Sequence, residues 1–151
     1  MHPARARGRQ GNTTVTTHGD ATRARQGEAH LALARANFEP IEQFLRQIND
    51  EGVVGTAAPC EVELTEEMRL VATNTCDVLY SVRHPTGQSV LLRFTMVGEG
   101  ADRILFQVQH RSAHGEERAS AGTVDQHVYR LDEMDELRKS VRTRIIVFLA
   151  R

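Results

Sequence analysis

The chain has only two cysteines, one lysine and no long apolar run, and each shortage narrows what it can be. Cys60 and Cys76 are too few for a disulfide scaffold, and they lack the C-x-x-C spacing of redox or zinc sites. They read as reduced, partly buried thiols. No apolar run approaches the ~20 residues that span a bilayer. The first thirty residues also lack the continuous apolar segment of a secretory signal. A cytoplasmic protein without a membrane span is the expectation. Lys139 is the only lysine among 19 basic residues, a bias that GC-rich coding explains and from which no function follows.

Catalytic signatures are missing as well. There is no G-x-S-x-G, no H-E-x-x-H and no glycine-rich phosphate loop entering a helix. His114 with Glu116 and Glu117 is the nearest acid/base cluster, and it reads as a charged loop tip. His110 and His114 could join Cys60 and Cys76 in a zinc set, but His110 ends a strand, His114 sits in a loop, and neither cysteine has a short-spaced partner. Asp132, Glu133, Asp135 and Glu136 lack the alternating ligands and central glycine of a calcium loop. They suit the start of a helix instead. Asn12-Thr13-Thr14 matches a glycosylation sequon that means little without a secretory signal. The expectation is no cofactor, no metal and no catalytic residue, with a small enzyme of unknown reaction kept as a third reading.

What is present is an ordinary globular composition, 40% apolar and 26% charged, on 151 residues, the size of one domain. Charge is unevenly placed. Arg5, Arg7, Arg9, Arg23 and Arg25 face a single acid, Asp20, in the first 25 residues, so a basic end precedes an acidic body. Residues 1–27 show no apolar periodicity and read as a disordered basic tail, with a single α+β domain over 28–151. Glu28 to Ala36 is weakly helical. From Pro40, suited to a first helical turn, Ile41, Phe44, Leu45 and Ile48 form one stripe that Gly52 stops.

Between Glu61 and Arg111 the apolar period falls to two. Matching apolar residues across hairpins predicts three registers. The first pairs Met68 with Val82, Leu70 with Tyr80 and Ala72 with Val78 around a turn centred on Thr75. A loop from His84 to Gln88 pairs Val82 with Val90, Tyr80 with Leu92, Val78 with Phe94 and Cys76 with Met96. A loop from Gly98 to Asp102 pairs Met96 with Ile104, Phe94 with Phe106 and Leu92 with Val108. Glu61 to Leu64 could add an edge strand. After a polar loop over 112–122, helical spacing runs through Leu131, Met134, Leu137, Val141, Ile145 and Phe148, with a start left open because Thr123 and Gln126 fit a capping box and Val124 and Val128 extend the stripe.

The fold expected is α+β, a four-stranded and potentially five-stranded antiparallel β-meander with an N-terminal helix and a long C-terminal helix on one face. The opposite face is mostly polar, with Val71, Leu79, Leu91 and Leu105 set among Arg69 and Arg93, and it offers a semi-polar docking surface. The leading functional expectation is a non-catalytic interaction module, self-associating or binding another protein through that face or a sheet edge. The second is a nucleotide or nucleic-acid binder using the arginines of the tail, although the tail offers no aromatic for stacking and the acidic body opposes a polyanion.

Overall fold

A computed structural model describes residues 4–52, 60–111 and 125–150; the side chains of 4–18, 20, 111 and 125 lie outside the description. The sequence readings at His114, Glu116, Glu117, Thr123 and Val124 and in the loop over 112–122 fall outside the described residues. Helix α1 (Ala4–Glu51) leads into five strands, β1 (Glu61–Ala72), β2 (Thr75–Arg83), β3 (Ser89–Val97), β4 (Arg103–Arg111) and β5 (Asp125–Arg130). A 3-10 turn (Leu131–Glu133) then opens helix α2 (Met134–Leu149). The strands form one antiparallel sheet in sequence order.

The second and third hairpins take the registers the alternation predicts. Val82 faces Val90, Tyr80 faces Leu92, Val78 faces Phe94 and Cys76 faces Met96. Met96 faces Ile104, Phe94 faces Phe106 and Leu92 faces Val108. These side chains point to one face and are buried there under Ala34, Phe38, Ile41, Leu45 and Ile48 of α1 and Leu137, Val141, Ile145 and Phe148 of α2. Aromatic rings centre this core: Phe94 lies 5.0 Å from Phe106 and 5.1 Å from Phe38, centroid to centroid. Burying such side chains stabilises by about 1.5–3 kcal/mol each relative to exposure.

Three readings are corrected. The first hairpin closes over Thr73 and Asn74, so Ala72 pairs Thr75, Leu70 pairs Cys76, and Val62 and Leu64 take the places opposite Val82 and Tyr80. Three register shifts along β1 accommodate this. The segment proposed as a separate edge strand, Glu61 to Leu64, is the first part of β1. The fifth strand is instead β5, which the sequence leaves open as an extension of the last helix. Its residues alternate: Tyr129 is buried opposite Ile104, while Val128 faces outward opposite Leu105. A period of two suits a strand, so helical structure begins only at Leu131.

Helix α1 is also longer than the stripe from Pro40 suggests. Its backbone is helical from Ala4, across most of the segment expected as a disordered tail over 1–27. Gly27, His30 and Ala34 are buried and continue the stripe N-terminally, and adding residues to a formed helix is far easier than nucleating one. Pro40 therefore sits inside the helix, on its exposed side, where water can take the carbonyl hydrogen bond that proline leaves unmade. Gly52, at φ +78°, ends the helix with its N–H donating to Ile48 O at 2.8 Å. Asn49 then ties the helix to β1, donating to Val62 O and accepting from Val62 N–H, both at 2.8 Å.

Candidate functional site

Because both helices cover one face, the other face of the sheet belongs to the strands alone among the described residues. Registers place its side chains in rows that cross all five strands. One row runs Glu66, Leu79, Arg93, Gln107, Gln126; the next runs Arg69, Asp77, Thr95, Leu105, Val128. Leu91 lies between Ser81 and Gln109 in a third. The alternation thus brings Arg69, Leu79, Leu91, Arg93 and Leu105 onto one surface. Val71 falls in the irregularity between Leu70 and Ala72 and is 51% exposed.

This face is not uniformly wet. Leu79 is 5% and Leu91 2% exposed, although neither belongs to the core cluster beneath the helices. Asp77 is a buried carboxylate at 7%. Arg69 of β1 reaches toward β2, its Nε 3.6 Å from Asp77 Oδ1, with its Nη2 3.2 Å from Glu66 Oε2 on its own strand. Neither contact is a well-formed hydrogen bond. Glu66 Oε2, Asp77 Oδ1 and Arg93 Nε are all buried without a hydrogen-bond partner among the described residues. Two acceptors and one donor in adjoining rows are unusual, since buried polar atoms are nearly always paired. Farther along β1, Arg83 pairs Glu63 at 3.1 Å and Glu61 at 3.8 Å. Sequence alternation locates the face but gives no sign that Asp77 and the two leucines are buried in it.

The two outer edges differ from the face. β1 carries Leu64 and Leu70 as well as Val71 partly in solvent, yet its register shifts and its run of Glu61, Glu63, Glu66 and Glu67 disfavour pairing with another strand. β5 is short and shows Val128 at 49% exposure.

Other groups weighed in the sequence are dispersed. Cys76 is buried under α1 and Cys60 half-buried, and burial pushes both thiols up from their ordinary value. His110 faces Val90 from β4, and its ring lies 6.4 Å from that of Phe148. Among the described residues no three His, Cys, Asp or Glu side chains come together as a metal site. Arg23 and Arg25 are exposed on α1, whereas the side chains of Arg5, Arg7 and Arg9 lie outside the description. Asp132 and Glu133 pair Arg130, and Asp135 and Glu136 pair Arg138 and Lys139. The acidic run is thus neutralised locally.

A small enzyme would need a concave polar site between helix and sheet. One such cleft lies between β5 and α2, about 210 Å³, lined by Phe106, Gln126, His127, Tyr129, Ser140 and Arg144. Ser140 has no hydrogen bond to His127 among the described residues. No family model, no curated protein and no solved structure matches this chain.

Proposed function

We propose that the chain is a non-catalytic interaction module that self-associates through the helix-free face of its sheet. The observation that supports this reading is the set of buried polar atoms on that face that make no hydrogen bond among the described residues, Glu66 Oε2 and Asp77 Oδ1, which have only loose ion-pair contacts with Arg69, and Arg93 Nε, beside partly exposed Val71, Leu105 and Val128. A two-fold interface is self-complementary by construction, and a surface that offers both a donor and acceptors meets that requirement with one patch. Leu79 and Leu91 would form its floor, and Arg69 and Arg93 would set the orientation. The charges and register shifts of β1 make that edge the weaker route.

Analytical ultracentrifugation over a wide concentration range tests the reading. A reversible dimer is expected, weakened by Val71→Asp and by Arg93→Ala with the far-UV circular dichroism unchanged. A monomer at every concentration would defeat it, as would a dimer indifferent to both substitutions. The second reading, polyanion binding by the arginines of residues 1–27, rests only on their number, and it requires salt-sensitive binding that is lost when those residues are deleted.

A further inference from the structure

A different part of the molecule holds a cavity beside a buried histidine. At the end of the sheet where β1 turns into β2 and β3 into β4, α1 is held close to the strands. Gly27 lies against β1 here, close enough that a Cβ would stand 2.8 Å from Leu70 Cδ1, the tip of a side chain that could turn aside. Farther along the helix, Asn37 Nδ2 donates to Gly100 O at 3.1 Å and Ala101 O at 2.9 Å, fixing the β3–β4 loop against it. Between these two fastenings lies His30, 3% exposed. Its Nε2 is 3.4 Å from Met96 O, and since a carbonyl can only accept, that nitrogen carries the proton. Nδ1 is therefore an acceptor in the neutral ring, and it is buried without a partner among the described residues.

His30 lines a cavity of about 410 Å³, within the range of small-molecule sites. Ala29 and Leu33 supply an apolar side, Thr73 and Asn74 of the first turn supply oxygens, and Glu99 of the β3–β4 loop supplies the only formal charge in the lining among the described residues. Among those residues the lining offers an anion no cation. A metal ion would find two strong ligands at most, His30 and Glu99, and no cluster of three such groups exists among the described residues.

We propose that this cavity receives the terminal ammonium of a small primary amine. The ammonium has three donors and a positive charge, which answer the unpaired Nδ1 acceptor, the Asn74 and Thr73 oxygens and the Glu99 carboxylate. Its methylene stem lies on Ala29 and Leu33. Nδ1 is out of solvent, so the proposal requires the rim of the cavity to open, with exposed Gln26 turning aside while Leu33 stays against the stem.

The test is a titration of the full chain with n-butylamine at neutral pH, followed through the ¹⁵N resonances of the His30 ring and the backbone amides of Asn74 and Glu99. Butan-1-ol and butyrate serve as neutral and anionic controls, and Zn²⁺ alone is titrated separately. Butylammonium should shift all three sites saturably, butanol should bind at least about tenfold more weakly, and butyrate should not bind. Glu99→Gln should weaken butylammonium about tenfold, as expected for loss of a charge-assisted hydrogen bond, and His30→Phe should abolish the response. If His30→Phe unfolds the chain, Glu99→Gln, in an exposed turn, carries the test alone. Equal responses to the three organic probes, no saturable response, or a saturable shift at His30 with Zn²⁺ but not with butylammonium would overturn the proposal.

Discussion

The two faces of this sheet are built from the same strands by the same alternation, yet they exclude water by different means. Beneath the helices, Phe94, Leu92 and Ile104 are covered by other apolar side chains. On the reverse face no helix among the described residues covers Leu79 and Leu91, but both are buried nearly as completely. The residues beside them in register, Glu66, Arg93, Ser81 and Gln109, have polar heads, and the long ones carry apolar stems that can lie over a leucine. One face is a core by composition; the other becomes dry through neighbours that a hydropathy count scores as surface.

The largest effect that tests this contrast comes from cutting each face at its centre. Phe94→Ala should cost about 3–5 kcal/mol. Leu91→Ala should cost about 2 kcal/mol, the low end for a buried leucine, because flexible polar stems can settle into the space. Urea unfolding midpoints measure both. A cost for Leu91→Ala no greater than that of an ordinary surface change would show that the reverse face is not a second packed layer.

Alkaline pH probes the helix-covered side alone. Burial pushes the Tyr80 hydroxyl up to about 12 from 10.0, with Glu42 adding to the shift and Arg46 opposing it. The neutral phenol is the form the fold favours. Its contribution is therefore fully present below pH 10.0 and is lost as pH rises toward 12, where the folded protein at last gives up the proton. The loss should reach about 2–3 kcal/mol across that window, because each tenfold difference in proton affinity between folded and unfolded chain is worth about 1.4 kcal/mol. In Tyr80→Phe the fall should be smaller by that amount, leaving the part contributed by the buried thiols of Cys60 and Cys76, when denaturant midpoints are compared on either side of pH 10.0.

The smallest effect belongs to the reverse face. Arg69→Ala leaves Asp77 buried without its nearest cation and should cost about 1 kcal/mol, little because Arg69 itself is mostly in solvent. A double-mutant cycle with Asp77→Asn, read by the same midpoints, should return a coupling below about 1 kcal/mol.

How much of the fold is legible in the sequence depends on how strictly each segment alternates. β2, β3 and β4 set apolar against apolar at nearly every inward position, so only one register keeps the core continuous, and the sequence yields it. β1 has charges on both faces and apolar residues at Val62, Leu64, Met68 and Leu70. Several pairings then look almost equally good, and the one that apolar matching favours is displaced from the true register. β5 is short, and Val124 and Val128 stand four apart as they would on a helix. The face containing Arg69, Leu79, Leu91, Arg93 and Leu105 follows from alternation, but its internal burial depends on how long polar side chains lie, which spacing does not encode. His30 stands in a weakly helical stretch, where a lone histidine draws no attention. A signal is nevertheless there: positions 30, 34, 38, 41, 45 and 48 make one helical stripe, with an imidazole at a site otherwise held by apolar side chains.

The irregularities along β1 have a consequence for how the chain can change length. They separate its pairing with β2 into an outer part anchored by Val62 and Asn49 and an inner part anchored by Leu70 and Cys76, which already differ in phase. An insertion or deletion near Thr65 or Glu67 would alter only that offset and leave both anchors seated. In β3, where all nine positions are locked to neighbours on either side, the same edit would turn every inward residue beyond it outward. Variation in length is thus tolerable at one margin of the sheet and ruinous at its centre.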